Sequence, residues 1–261
     1  MIKANYHTHT FRCHHGYGCE WEYVENAIKG GIKIFGFADH APHHFPNGYY
    51  SRMRMLPKDL PDYIATVERM KKLYGDRIEI LCGLEAEYYP ELFPRFLEML
   101  RENPGVEYLI LGQHYYHNEY ETGLHTSKPQ AEEHLLANYV DQVLEGLATG
   151  RFLYLCHPGV CHYTGDAEIY RHHMRRLCRE VQAMKIPMEL NLQGYRAKNH
   201  YPSEKFWEIA AEENCTAILG LDAHRAKHAC DPEEIAAMTA FAQKVGVRLI
   251  DEVPLKEDFL K

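Results

Sequence analysis

The sequence predicts an α/β fold, a parallel barrel of alternating strands and helices, and three observations favour it. Apolar runs typical of buried strands alternate with amphipathic helical segments along all 261 residues, without a linker-like break. This length is close to the roughly 250 residues typical of (β/α) barrels. Polar residues, most often histidine, follow one predicted strand after another. A closed or distorted barrel, rather than an open doubly wound sheet, brings such strand ends to one centre, and we expect residues 1–261 to form a single domain.

Seven strands are predicted from short apolar runs bounded by turn residues. The first, around Asn5, is weak, and a further apolar run at 247–250 follows the last predicted helix. The other six strands are predicted at 32–38, 77–84, 106–112, 152–156, 187–192 and 216–221. Apolar residues at helical spacing, and caps such as Ser203, predict helices at 20–30, 58–74, 91–102, 132–149, 166–184, 203–213 and 232–245. The segment 41–57 is rich in proline, glycine, histidine and aromatic residues, which is typical of an ordered loop over an active site.

The composition predicts a reduced cytoplasmic enzyme. The net charge of −8 disfavours nucleic acid as a partner, although a metal centre can still bind phosphate locally. No stretch approaches the ~20 apolar residues of a membrane span, and the first residues lack the features of a secretory signal. The eight cysteines show no disulfide spacing. Dinucleotide-binding and P-loop fingerprints are absent, so the sequence offers nothing for a nucleotide-binding fold of those types.

The most informative stretch is His7-Thr8-His9, near the start of the chain. Side chains alternate along an extended segment, so both imidazoles lie on one face. His15 follows six residues after His9, and Gly16 lets the loop fold back. Only this spacing favours His15 over its neighbour His14. Imidazole is the commonest metal ligand, and packing does not explain why the 18 histidines outnumber the 10 phenylalanines.

Nine candidate metal ligands lie at or just after the carboxyl ends of predicted strands, where barrel enzymes place their catalytic groups. They are His7, His9, His15, His40, Glu85, His114, His157, Asp222 and His224. One tetrahedral zinc cannot use them all, so the set predicts two to three divalent transition-metal ions, zinc, iron or manganese. A carboxylate such as Glu85 can bridge two cations, and cations ~3.5–4 Å apart clamp the attacking and leaving oxygens of a phosphoryl displacement. Asp39 is expected to accept the ring N–H of His40, and Glu87 is expected either to orient a ligand in the same way or to lie at the surface.

Any one of these histidines could be an ordinary hydrogen-bonded core residue. The whole set is not explained in that way, because core histidines have no reason to prefer strand ends. Cys156-His157 and Cys161-His162 favour a structural zinc site only weakly, since they lack the short Cys-x-x-Cys knuckle. Eight other histidines are expected at the surface or in loops: His43, His44, His117, His125, His172, His173, His200 and His228.

This constellation resembles the PHP (polymerase and histidinol phosphatase) family of metal-dependent phosphoesterases. The family's order and approximate spacing are matched over nearly the whole chain by His7-Thr8-His9, His15, Asp39-His40, Glu85, His114, His157-Pro158 and Asp222-Ala223-His224. The resemblance implies a distorted seven-stranded (β/α)7 barrel with a trinuclear metal centre. It implies one ion on His7, His9, Glu85 and Asp222, a second on Glu85, His114 and His157, and a third on His15, His40 and His224.

Within the family the chain is most similar to the monofunctional histidinol phosphatases. The helix at 60–74 and the segments Gly83-Leu84-Glu85, Glu189-Leu190-Asn191 and Gly194-Tyr195-Arg196 fit that branch. The branch usually has an acid after the His-Pro pair and a basic residue shortly beyond, where this chain has Gly159 and His162. The loop that carries Arg52 and Arg54 is also unusual for the branch.

The resemblance implies a phosphoric monoester hydrolase that converts L-histidinol phosphate to histidinol and phosphate. A metal-bound hydroxide would attack phosphorus in line, with Glu85, Asp222 and His224 as catalytic residues. Three arginines are candidate substrate-binding residues: Arg196 as a phosphate clamp, and Arg52 and Arg54. Acids and aromatic residues are expected along the path of the cationic amine, with Phe45, Tyr49 and Tyr50 offering stacking.

Two other functions are compatible with the sequence. One is the same chemistry on another phosphate ester, such as a sugar phosphate, a nucleotide or an oligonucleotide end. The other is a non-catalytic module that buffers or senses metal ions. The sequence assigns no general acid for the leaving group and leaves the oligomeric state open, a homo-oligomer included.

Overall fold

An eight-stranded parallel sheet forms the centre of the molecule, and its strands are neighbours in chain order. The computed structural model describes residues 2–256 and 258–260. The strands are β1 (Ala4–Asn5), β2 (Ile34–His40), β3 (Glu79–Ala86), β4 (Tyr108–Leu111), β5 (Phe152–Leu155), β6 (Met188–Asn191), β7 (Thr216–Gly220) and β8 (Arg248–Ile250). All seven predicted strands are present, and the apolar run at 247–250 adds the short β8 beside β7.

Helices cover the outside of the sheet. Within the described residues they are α1 (Glu20–Lys29), α2 (Leu60–Tyr74), α3 (Phe93–Glu102), α4 (Glu119–Thr122), α5 (Glu133–Ala148), α6 (Ala167–Ala183), α7 (Leu192–Arg196), α8 (Glu204–Glu212) and α9 (Pro232–Val245). The predicted cap Ser203 is confirmed, since its hydroxyl accepts a hydrogen bond from the Phe206 N–H at 3.3 Å. The short helices α4 and α7 were not predicted, because four or five residues are too few to show a helical period. None of these helices is long and apolar enough to cross a membrane.

The sheet curls until the chain after β1 meets the chain after β7. Thr8 pairs with Ala223 in a parallel bridge, and the His9 N–H donates to the Ala223 carbonyl at 3.0 Å. The Asn5 side chain adds a second link, because its Oδ1 accepts the Leu221 N–H at 2.9 Å. The strands therefore form a distorted, incompletely closed (β/α) barrel, as predicted, with β8 added at the edge. The curl directs the carboxyl ends of β1 to β7 toward one cavity.

Tyr108 fills the inside of the curled sheet and joins its first four strands. Its hydroxyl lies 2.7 Å from the Tyr6 carbonyl oxygen and 3.0 Å from that of Phe37, so these two buried carbonyl groups share its proton as a hydrogen-bond donor. Two glycines make room for the ring. A Cβ at Gly83 would lie 2.2 Å from the Tyr108 Cζ, and one at Gly36 would lie 2.1 Å from the Tyr108 hydroxyl. The tyrosine and both glycines thus belong to one packing unit.

We expect Tyr108→Phe to lower the free energy of unfolding by about 1–3 kcal/mol, because two buried carbonyl groups lose their shared donor. Urea titration followed by circular dichroism measures the change. Tyr195→Phe is the matched control, since the Tyr195 side chain is 43% exposed and water can replace its hydroxyl. Equal midpoints for the two variants would contradict a structural role for the Tyr108 hydroxyl.

Candidate metal centre

A cavity of about 530 Å³ opens at the carboxyl ends of the strands. Eight of the nine predicted ligands line this cavity: His9, His15, His40, Glu85, His114, His157, Asp222 and His224. The ninth, His7, lies directly beneath, with its Nε2 3.1 Å from the Nε2 of His9. The structure therefore brings the whole predicted set together, although its members come from strand ends spread over the chain.

The Glu85 carboxylate stands between two groups of imidazoles. Its Oε1 lies 2.8 Å from the His157 Nε2 and 3.3 Å from the His114 Nε2. Its Oε2 lies 2.9 Å from the His40 Nδ1, and 3.5 Å from the Nε2 atoms of both His7 and His9. The two oxygens thus face different imidazoles, which is the geometry that a bridging carboxylate requires.

Asp222 and His224 complete the other side of the centre. The Oδ1 of Asp222 lies 3.1 Å from the His9 Nε2, and the His224 ring stacks on the rings of His9 and His15 with centroids 4.1 Å and 4.6 Å apart. Asp222 has a φ of 45° and His157 a φ of 26°, values that residues other than glycine rarely adopt. Such strain costs on the order of 1–3 kcal/mol and typically persists at functional sites.

The structure selects His15 over His14 as the member of the cluster. The His15 ring centroid lies 5.3 Å from that of His40, whereas the Nε2 of His14 lies 3.4 Å from the Tyr50 hydroxyl. Cys13, which the sequence did not indicate, also comes within ligand distance of His15 and His224. Burial raises the pKa of the Cys13 thiol, and its proton points to the Thr10 carbonyl, so the imidazoles are the better donors.

Three buried carboxylates orient the ligand rings from behind. The Nδ1 atom of His7 lies 2.7 Å from Glu189, that of His114 lies 2.9 Å from Glu87, and that of His9 lies 3.4 Å from Asp39. A carboxylate only accepts, so each Nδ1 carries the proton. In the neutral ring, the lone pair of each Nε2 is then directed into the cavity, which is the tautomer that binds a metal once Nε2 has lost its proton.

Two of these assignments correct or extend the sequence analysis. Asp39 was expected to hold the ring of His40, but it accepts the His40 backbone N–H at 2.9 Å and faces the ring of His9. Glu189 was noted only as part of a segment typical of the branch, and its role behind His7 was not predicted. It also accepts the N–H of His157 at 3.2 Å, and a Cβ at Gly220 would lie 1.8 Å from its Oε1. The signal available in the sequence was an acidic residue within an otherwise apolar strand. Side chains alternate between the two faces of a strand, so such a residue is normally expected on the exposed face.

The ionisation of the centre is strongly coupled. Burial lowers the pKa of His7, but Glu189, Asp222 and Glu85 outweigh it and hold that pKa well above its usual value. Burial likewise lowers the pKa of His114, and Glu85 with Glu87 raises it to about 9. Burial raises the pKa of Glu85, but the imidazoles keep it well below its usual range. Protons on the rings therefore balance the carboxylates wherever no cation does so.

The residues of the centre fit several metal ions. Five of their buried polar atoms lack a hydrogen-bond partner: His40 Nδ1, Glu85 Oε2, His157 Nδ1, Asp222 Oδ1 and His224 Nε2. Groups of three donors lie within 4.8 Å of one another, among them His7 with His9 and Glu85, and His9 with His40 and His224. Imidazole and carboxylate donors suit zinc, iron and manganese. Which ions share which ligands remains a prediction.

The structure does not bring the three predicted arginines to the cavity. Arg54 is 1% exposed, and its guanidinium contacts Glu87 at 2.7 Å and Glu119 at 2.7 Å, so no N–H is left for a substrate. Arg196 pairs with Glu234 at 2.6 Å. Arg52 is exposed and does not line the cavity. The predicted phosphate contacts of Arg54 and Arg196 are therefore replaced by ion pairs inside the protein.

Loops supply the wall of the cavity, and most of these residues were not predicted. The wall contains Tyr17, Met53, His125, Ser127, Val160, Gln193, Asn199, His200, Tyr201, Arg225 and His228. His125, His200 and His228 were expected at the surface or in loops, and the structure places them in this wall. His43 was also expected there, but its side chain is buried against the rings of Phe45, Tyr89 and Phe96. These positions could not be predicted from the sequence, because residues in long loops lie at no fixed spacing from the end of a strand.

The chain is similar to a known protein family and to several known proteins. A family model described as the PHP domain matches residues 5–193. A Deinococcus radiodurans protein named "Probable histidinol-phosphatase" is 27% identical over 237 residues, covering 84% of this chain and 85% of the relative. A Schizosaccharomyces pombe protein of the same name is 24% identical over 247 residues, covering 85% and 80%. The crystal structure of histidinol phosphate phosphatase from Lactococcus lactis, complexed with zinc, L-histidinol and phosphate, matches with a TM-score of 0.69 at 18% identity, covering 98% of this chain and 99% of that one.

We expect metal binding to strengthen as the pH rises from 6 to 9. His7, His9 and His114 have raised pKa values, so a cation must displace protons that they carry at neutral pH. The same protons stabilise the metal-free protein below about pH 6.5, and that contribution is lost as the pH rises through the folded pKa. The difference in melting temperature between zinc-loaded and metal-free protein should therefore widen with pH. A difference that narrows over this range would contradict these ionisation states.

We expect Glu189→Gln to weaken zinc binding by about 10–100-fold, because the amide cannot accept the His7 proton as strongly and can donate in its place. Competition with a chromogenic chelator measures the affinity. Glu208→Gln is the control, since that side chain is exposed on α8 and makes the same change of charge. If Glu189→Gln binds zinc as the wild type does, Glu189 serves only packing.

Proposed function

The chain belongs to the PHP-domain family, and we propose on that basis that it is a metal-dependent phosphatase that hydrolyses L-histidinol phosphate to L-histidinol and phosphate. The observation that carries the proposal is the convergence of nine imidazole and carboxylate side chains on one cavity, with Glu85 between two groups of imidazoles. The names of the relatives support the choice of substrate.

The chain's own residues prepare the site for a phosphate ester. Glu189, Glu87 and Asp39 fix the rings of His7, His114 and His9, so the donors are arranged before any ligand arrives. Bound transition-metal ions would supply Lewis acidity and a lowered pKa for water. The cavity of about 530 Å³ is within the ~300–1,000 Å³ range of small-molecule sites. The donors at its base, among them His7, His9 and Glu85, are buried, which limits their contact with bulk water.

The outer wall shapes what the leaving group meets. Phe45, Tyr49 and Tyr50 were expected to contact it, but none of them lines the cavity. Tyr201 takes that position, with its ring centroid 6.0 Å from that of His157. Among the described residues that line the cavity, the only carboxylates are Glu85 and Asp222. Within these described residues, the wall therefore offers no separate acid to an amine, and its one arginine, Arg225, is itself cationic.

This lack of an acid in the wall favours a second candidate, the hydrolysis of another small phosphate monoester. A substrate that carries no cationic amine needs no acid in the wall, so it would lose no binding energy from the lack of one. The chemistry at phosphorus and the role of the ligands would be the same for both candidates.

The cellular setting is part of the proposal. We place the enzyme in the cytoplasm, where a small-molecule phosphate ester is its partner. All eight cysteines are free thiols in the structure, and six of them are buried, which supports a reducing compartment.

We expect metal-loaded protein to hydrolyse histidinol phosphate with a kcat/KM at least ~100-fold above that for sugar and nucleoside monophosphates, the margin of a dedicated site. Phosphate release from each substrate gives the values. Asp222→Asn should abolish turnover, because it removes an anionic donor, and Asp251→Asn, an exposed residue, should not. A sugar or nucleotide phosphate as the best substrate would transfer the assignment to the second candidate. Equal turnover by wild type and Asp222→Asn would show that this centre is not the catalyst.

A further inference from the structure

A phosphate dianion needs a cationic contact beyond the metal centre, because the base of this cavity already holds the carboxylates of Glu85 and Asp222. The three arginines predicted for this purpose lie elsewhere, two of them held by internal acids. Among the described residues that line the cavity, Arg225 is the one lysine or arginine. Its position, directly after His224, places it at the rim beside the proposed ligands.

The backbone of Arg225 is fixed on both sides. Arg225 pairs with Tyr17 in a parallel bridge, and the Tyr17 N–H donates to the His224 carbonyl at 2.9 Å. The carbonyl of Arg225 accepts the His228 N–H at 2.8 Å, which closes the turn after β7. The residue is therefore tied to the same loop that carries Asp222 and His224, and its distance from the centre is set by the barrel.

The guanidinium of Arg225 is available to a ligand. It lies over the Tyr17 ring, 5.2 Å from the centroid, which supports it from one side without using its N–H groups. Within the described part of the chain, no acid pairs with it, in contrast to Arg54 and Arg196. A planar guanidinium with free N–H groups at the mouth of a cavity lined by the proposed metal ligands matches two oxygens of a phosphoryl group.

We propose that Arg225 binds the non-bridging oxygens of the phosphoryl group and thereby selects dianionic phosphate monoesters. This inference rests on the proposed function and deepens it. Because the contact is at the rim and exists before and after bond cleavage, Arg225 binds substrate, transition state and product phosphate alike. Its loss should then raise KM and the dissociation constant for phosphate together, and change kcat less.

The test compares metal-loaded wild type, Arg225→Ala and Arg225→Lys, with inorganic phosphate as the binding probe in calorimetry. We expect Arg225→Ala to raise the Kd of phosphate and the KM of histidinol phosphate by about 10–100-fold, as for a lost charged hydrogen bond. Arg225→Lys should restore part of the affinity, since it keeps the charge but not the planar fork. Lys227→Ala is the matched control. It removes a positive charge from the same turn, and Lys227 is exposed and does not line the cavity.

Metal content and melting temperature are measured for every variant, because Arg225 adjoins His224. Unchanged phosphate affinity in Arg225→Ala, or an equal loss in Lys227→Ala, would overturn the proposal. Loss of metal in Arg225→Ala would overturn it too, since the residue would then act by holding His224. If wild type hydrolyses no phosphate ester but loses phosphate affinity on Arg225→Ala, the proposed function fails and the phosphate contact stands.

Discussion

The parallel pairing of β2 with β3 is the constraint on which the centre depends. Its register places His40 directly beside Glu85, at the end of both strands. The Glu85 carboxylate then occupies the middle of the cavity floor, and Gly112 leaves the space, since a Cβ there would lie 2.0 Å from its Oε1. A shift of one residue in this pairing would move the Glu85 side chain to the opposite face of the sheet, away from the cavity. The other ligands are arranged around this carboxylate.

The carboxylates behind His114 and His7 differ in the charge of their own partners, and this makes the two imidazoles unequal as metal ligands. Behind His114 lies Glu87, and behind Glu87 lies the buried cation Arg54. Burial raises the pKa of Glu87, but Arg54 and the neighbouring imidazoles outweigh it and keep that carboxylate ionised. Glu189, behind His7, accepts instead from neutral groups, the amide of Asn191 and the N–H of His157. His7 therefore faces the less neutralised carboxylate and is the more electron-rich donor.

The convergence of the nine proposed ligands could be predicted from the sequence because their positions follow a local rule. Each ligand follows an apolar run, and the strand ends of a parallel barrel converge whatever the helices between them contain. Arg54 and Arg196 could not be assigned in that way, because their partners are 65 and 38 residues away and nothing local marks them. Glu189 was hidden for another reason. Inside a curled sheet both faces of a strand are buried, so an acid in the strand has an interior partner and does not face solvent.

The closure of the barrel by its first and seventh strands also sets the order of assembly. Asn5 and Leu221 meet across 216 residues of chain, and His7 and His9 stand beside Asp222 for the same reason. Contacts between such distant residues close the largest loops and cost the most chain entropy to form. During synthesis the first imidazoles leave the ribosome long before Asp222 and His224 exist to complete their coordination. Correct metal loading is consequently a property of the finished chain, and a product truncated before β7 would hold its ions with an incomplete and less selective set of donors.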